Sequence, residues 1–191
     1  MKIIFLDIDG VLNHEKAYEK GECRFIEHGN TRYEAFSISS KKLLNELIKE
    51  TGAKIVVSST WRSKGIDWLK EVWKKERMNG EIIGITPRIM TRDGHSVPRG
   101  VEIEDWLSRN NYRHINYSAE EQYRYMMKSG IDSYVILDDD SDMLYNQRNH
   151  FVHILHDPNN KAGFNPECKN KALGILNKTI LELNHGHKFL N

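Results

Sequence analysis

Three groups of acidic or hydroxyl residues each follow an apolar run rich in β-formers. Asp7 and Asp9 follow Lys2–Leu6, Ser58, Ser59 and Thr60 follow Ala53–Val57, and Asp138, Asp139 and Asp140 follow Tyr134–Leu137. In an open α/β sheet, ligands bind beyond the carboxyl ends of the strands. If the three runs are neighbouring strands, several carboxylates and two serine hydroxyls meet in one crevice. Uncompensated carboxylates so close together repel. The cluster therefore calls for a hard cation, most simply Mg²⁺ with oxygen ligands and retained waters. Within Asp7-Ile8-Asp9-Gly10-Val11 the two-residue offset lets two carboxylates flank one oxyanion, one as nucleophile and one as proton donor. Gly10 permits a tight turn immediately afterwards. An aspartate that attacks phosphorus forms an aspartyl-phosphate, an established kind of covalent catalysis. Each acid alone also fits an ordinary N-cap or turn former; the three groups taken jointly fit a site better.

The elements that must hold these residues are legible in the same sequence. The runs are nearly continuous rather than alternating, which suits strands covered on both faces of a parallel sheet. Glu81–Ile85 and Phe151–Leu155 are weaker strand candidates. Leu43, Leu44, Leu47 and Ile48 share one helical face ahead of a stop at Gly52; Leu69, Val72 and Trp73 repeat at helical spacing before Gly80; Ile103, Trp106 and Leu107 do so before Asn110. Ser118 with Glu121 is a capping-box pair opening a helix that ends near Gly130, and Asn165 with Pro166 caps a helix through Leu173, Leu176 and Ile180. Alternating strands and helices predict an α/β fold: a doubly wound, Rossmann-like parallel sheet with helices on both faces. The 191 residues suit a single domain over 1–184, with 185–191 as a frayed tail. Residues 13–37 are polar and read as a small insertion, and residues 86–100, with two Pro and Gly94, read as a loop.

Composition closes off other classes. A formal net charge of +1 provides no strong positive field for coating polyanions. No run approaches the ~18 apolar residues of a membrane span, and the acids at Asp7 and Asp9 interrupt the first apolar run, so it is no secretory leader. Two cysteines, Cys23 and Cys168, make neither a disulfide framework nor a zinc site. The expectation is a soluble cytoplasmic domain without a membrane partner. Strand alternation would put His150 and His156 on one face and His153 on the other, with no zinc spacing among them. His14, close behind Asp9, could contact a substrate but fits an exposed loop residue better. Tyr112–Tyr125 interleaves aromatic and basic residues, but Glu120 and Glu121 within it favour a partly exposed helix with its loop. Dinucleotide, Walker A and GxSxG signatures are missing from the sequence.

Phe5-Leu6-Asp7-Ile8-Asp9-Gly10-Val11-Leu12 resembles the first motif of the haloacid dehalogenase (HAD) superfamily of phosphohydrolases. Val56-Val57-Ser58-Ser59 resembles its second and Val135-Ile136-Leu137-Asp138-Asp139 its fourth. More narrowly, Ser59-Thr60-Trp61-Arg62 and Arg99-Gly100-Val101-Glu102-Ile103 with Trp106-Leu107 are similar to HAD domains of bacterial and phage "Swiss army knife" RNA-repair proteins. The resemblance implies a Mg²⁺-dependent phosphomonoesterase with Asp7 as nucleophile and Asp9 as general acid, then base. It implies Asp7, the Asp9 carbonyl and Asp138 as metal ligands, with Asp139 or Asp142 assisting, and Ser58 on the phosphoryl group, in a register that leaves Ser59 open. The third-motif cation, usually Lys, is Arg99 here, with Lys64 as the alternative. Gly10, Ser59, Thr60 and Arg62 complete the substrate contacts; Trp61 and Arg62 could stack on a base and clamp a phosphate, or simply pack the start of a helix. Family members carry caps after the first motif or between the second and third, and here both insertions are small. An open crevice suits a nucleotide or nucleic-acid end, or a small substrate sealed by homo-oligomerisation. The same residues also suit a non-hydrolytic, receiver-like phospho-acceptor, or a phosphotransferase that passes the phosphoryl group to a hydroxyl.

Overall fold

The computed structural model describes residues 1–110, 124, 128–156, 162–178 and 183. In chain order the elements are β1 (Lys2–Leu6), α1 (Glu15–Glu19), β2 (Phe25–His28), β3 (Thr31–Glu34), α2 (Ile38–Thr51), β4 (Lys54–Val57) and α3 (Ile66–Lys75). They continue with β5 (Ile82–Ile85), α4 (Arg99–Arg109), β6 (Ser133–Asp138), β7 (Phe151–His153) and α5 (Pro166–Leu176). Short 3-10 turns span Thr60–Lys64 and Tyr145–His150.

Five strands form one parallel sheet in the order β5-β4-β1-β6-β7. Side chains alternate across a strand, and the two faces separate cleanly. Ile4, Leu6, Ile55, Val57, Val135 and Leu137 pack beneath α2, α3 and α5; Ile3, Phe5, Val56, Tyr134 and Ile136 pack against Ile103 and Leu107 of α4. Helices therefore cover both faces, and this double burial is why the strands read as unbroken apolar runs. Each fully buried aliphatic side chain, Leu44 and Leu47 of α2 among them, contributes about 1.5–3 kcal/mol. On the α4 face, Phe5 meets Trp106 and Tyr134 edge-on, with ring centroids 5.4 and 5.7 Å away.

The helix ends follow their local chemistry. Gly52 stops α2 in the left-handed conformation at φ 66°. Asn165 Oδ1 accepts from the backbone N–H groups of Glu167 and Cys168 at 3.0 and 3.2 Å, with Pro166 in the first turn of α5. The loop predicted over 86–100 is two residues too long, because α4 begins at Arg99. Its cap comes from Asp142, whose Oδ2 accepts the Arg99 N–H at 2.7 Å. No local pattern could reveal a cap 43 positions away.

The insertion over 13–37 is a short helix followed by an antiparallel hairpin of β2 and β3. It is tied down: Tyr33 donates its hydroxyl proton to the buried Glu76 carboxylate at 3.1 Å, and Trp68 Nε1–H donates to Thr31 Oγ1 at 3.0 Å. The predicted helix from Ser118 apart from Arg124 and its end at 128–130, the segment Tyr112–Tyr125 apart from Arg124, the helical position Ile180 and the tail 185–191 lie outside the described residues; Gly130, where that helix is predicted to end, is left-handed at φ 66°. The alternation expected of the three histidines does not hold. β7 is only three residues long, and His150 closes a 3-10 turn, buried, with its ring stacked 3.9 Å from that of Tyr134. No helix among the described residues is long and apolar enough to cross a membrane.

Candidate active site

Sheet register sets the geometry. Leu6 lies opposite Val57 on one side and Leu137 on the other, so Asp7, Ser58 and Asp138 leave the sheet side by side. The Asp7 N–H donates to Leu137 O at 3.0 Å, and the Ser58 N–H to Leu6 O at 2.8 Å. Asp7, Asp138 and Asp139 bring one carboxylate oxygen each to within 4.8 Å of one another. Gly10 makes that approach possible: its φ is 75°, and a Cβ there would collide with the Asp139 carboxylate.

Arg99, in the first turn of α4, reaches into this group. Its Nη1 donates to Asp7 Oδ1 at 3.2 Å and also to the Ser58 carbonyl, while its Nε lies 3.2 Å from Asp138 Oδ2. Lys64 instead lines a second cleft, which Asp7 does not line. One guanidinium does not balance the acids. Burial raises the Asp7 carboxyl to about 6 despite the opposing Arg99 charge and a hydrogen bond from Ser59. Burial and then the neighbouring Asp7 raise Asp138 to about 8. The Asp138 Oδ2 atom is buried and accepts no hydrogen bond. Three converging carboxylate oxygens, the buried Asp138 Oδ2 among them with only the Arg99 ion pair beside it, fit a hard divalent cation such as Mg²⁺.

Of the two serines, Ser59 is the one whose side chain acts to lower the Asp7 pKa, whereas Ser58 Oγ lies 3.4 Å from Thr86 Oγ1. Ser59 is thus the serine whose side chain influences Asp7, while Ser58 reaches the site through its carbonyl, which accepts from Arg99. The extended backbone of Ser59 (φ −122°) turns the next side chain inward as the 3-10 turn begins.

Asp9 stands apart from the carboxylate cluster. Trp61 Nε1–H lies 3.0 Å from each of its oxygens, Asn13 Nδ2 donates to Oδ1 at 3.0 Å, and Thr60 Oγ1 donates to Oδ2 at 3.4 Å. Its side chain faces a crevice of about 600 Å³ lined also by Asp7, Gly10, Thr60, Arg99 and Asp139. Arg62 sits elsewhere. Its Nη2 pairs with the buried Glu102 carboxylate at 2.6 Å, and Glu102 also accepts the Ile89 N–H at 2.9 Å. Arg62 therefore ties the 3-10 turn to α4 and the loop before it, and it does not line the crevice.

The residues 3–167 match the family of HAD domains in Swiss Army Knife RNA repair proteins. The chain belongs to this family. The match takes in all of the described strands but for Lys2 and runs into the start of α5, and a HAD domain implies phosphatase-type hydrolase chemistry. No curated protein matches the chain.

Several partners of the HAD site escaped the sequence. His14, expected to be exposed, is buried at the crevice wall, and neither ring nitrogen has a hydrogen-bond partner; burial lowers its pKa. His153 and His156 both reach Asp139, the first at its carbonyl (2.9 Å) and the second at Oδ2 (3.2 Å). Their positions beyond a weak strand gave no signal of that role. Asp142, considered with Asp139 as an assistant at the metal, caps α4 through the Arg99 N–H.

Proposed function

We propose that this HAD domain is a Mg²⁺-dependent phosphomonoesterase that works through an aspartyl-phosphate on Asp7, with a nucleotide or polynucleotide end as the phosphorylated substrate. The observation that carries the reading is the division of labour among the acids. Asp7 sits with Arg99 and two further carboxylates, while Asp9 is held separately by Trp61, Asn13 and Thr60 on the same crevice.

Asp7, Asp138 and Asp139 would hold the cation, with the Asp9 carbonyl as a further ligand; when bound, it offsets the charge of the acids and of the phosphoryl oxygens. Arg99 adds a fixed positive charge beside Asp7, in place to balance charge that develops on the transferring group. The Ser59 hydroxyl, which favours the Asp7 carboxylate, orients the same oxygens. An Asp7 oxygen attacks phosphorus as the bond from phosphorus to the leaving oxygen breaks, and protonated Asp9 gives that oxygen its proton. Asp9, now a carboxylate, takes a proton from water; the hydroxide attacks phosphorus, the bond to Asp7 breaks, and inorganic phosphate leaves. The Asp7 carboxylate and protonated Asp9 are regenerated. General acid–base assistance of this kind is worth about 10²–10⁴-fold. A simple phospho-acceptor needs no proton donor, so the triply held Asp9 favours turnover.

The test is phosphate release from a small aryl phosphate, with and without Mg²⁺, by the wild type and Asp7→Asn. Release that requires both the metal and Asp7 is expected; equal release by the variant would remove Asp7 as nucleophile.

A further inference from the structure

A second cleft, of about 400 Å³, opens on the Asp9 side of the crevice and shares Asp9, Glu34 and Thr60 with it. One wall is the β2–β3 hairpin and the other is the 3-10 turn with the start of α3. Trp61, Trp68 and Tyr33 form its aromatic lining, with ring centroids 5.8–6.0 Å apart. At its rim Phe25 is 58% exposed, with the Arg32 guanidinium 4.6 Å above its ring. Lys64 completes the rim. Among the described residues, neither Arg32 nor Lys64 has an acidic partner within ion-pairing distance, although the chain has nearly as many acids as bases.

Position assigns the cleft a part in the reaction. The proton donor stands on the leaving-group side of the phosphorus, and Trp61, which lines the cleft, is hydrogen-bonded to that donor, Asp9. A group lying against Trp61 thus carries its ester oxygen toward Asp9. The aromatic lining asks for a flat π-faced group, and the two unpaired cations at the rim ask for an anion beyond it. The volume falls in the ordinary range for small-molecule sites.

Resting on the phosphatase reading above, we infer that the cleft between the β2–β3 hairpin and the 3-10 turn at Thr60–Lys64 is a leaving-group subsite. It takes a nucleoside that bears a second phosphate in addition to the scissile one. The nucleobase stacks among Trp61, Trp68 and Phe25, and Arg32 with Lys64 meets the second phosphate. A polynucleotide end and a free nucleoside bisphosphate share this chemistry. The hairpin, not a large cap domain, then supplies specificity.

Binding to the Asp7→Asn protein, followed by tryptophan fluorescence, tests the inference without turnover. The probes are short oligonucleotides phosphorylated at either end, a nucleoside 3′,5′-bisphosphate, the matching mononucleotide with one phosphate, and a phosphotyrosyl peptide. Ligands with the second phosphate should bind at least about tenfold more tightly than the mononucleotide, and more steeply so at low salt. The double variant Arg32→Ala/Lys64→Ala should erase that preference; both side chains are exposed, so the fold should survive. Oligonucleotide above bisphosphate identifies a polynucleotide end as the source, and equal affinity identifies the free bisphosphate. A preference that survives in the double variant, no preference in the parent, or tighter binding of the peptide would overturn the inference. Failure of the phosphatase reading would show separately, as wild-type protein releasing no phosphate from acetyl phosphate, which has no base to fill the cleft.

Discussion

Asp9 owes its position to an indole. Trp61 donates a single N–H shared between both carboxylate oxygens, while Asn13 and Thr60 fix one oxygen each. Trp61→Phe keeps the aromatic packing against Tyr33 and Phe36 but removes that donor. It should lower kcat about tenfold with little change in KM, and more for an alkyl phosphate than for an aryl phosphate, whose leaving group needs less protonation. An equal loss on both substrates would mean that Trp61 does not act through the proton donor. Arg99→Ala should cut kcat by more than it raises KM, since the lost charge stabilises the transition state. A change confined to KM would make Arg99 a binding residue only. The acids were legible in sequence because three groups of them follow apolar runs, a combination that caps and turns explain poorly although they explain each acid alone. Ser59 was harder: two adjacent serines differ only in which way the chain turns after β4. Trp61 and His14 were ambiguous because indole and imidazole serve packing and polar contacts alike.

Secondary structure decides how rigidly this site is presented. The strand runs and most helical faces could be read from the sequence because burial on both sheet faces leaves continuous apolar segments, and because Gly52, Asn165 and Pro166 are strong terminal signals. The start of α4 could not, since its cap comes from Asp142 in another segment. That cap sets where Arg99 enters the site. Asn165→Ala at the start of α5 should cost about 1 kcal/mol in denaturant unfolding. Phosphate release should be unaffected, because α5 lines none of the crevice. A matching loss of activity would show that the α5 end is coupled to the site.

Across the molecule, the acids at the carboxyl edge of the sheet are a liability until a cation offsets them. Asp7 and Asp138 have pKa values raised from 3.8 to about 6 and about 8. The metal-free folded chain therefore binds more protons than the unfolded chain between about pH 4 and pH 8, and its stability falls as pH rises through that window. Mg²⁺ competes with those protons. The melting-temperature increase it produces should be small near about pH 5 and grow toward about pH 8. An increase independent of pH would place the cation elsewhere. Among the described residues the small, tethered insertion leaves the crevice without a large lid, which accords with a substrate that extends beyond its phosphate.

The most direct trial of the central claim is to trap the covalent intermediate. Asp9→Asn protein, in which water lacks its base, is mixed with Mg²⁺ and an aryl phosphate, quenched in acid, and digested for mass spectrometry. The peptide carrying Asp7 should gain one phosphoryl group that hydroxylamine removes, and the Asp7→Asn/Asp9→Asn protein should gain none. Phosphate release by the wild type with no such adduct, and undiminished in Asp7→Asn, would contradict it.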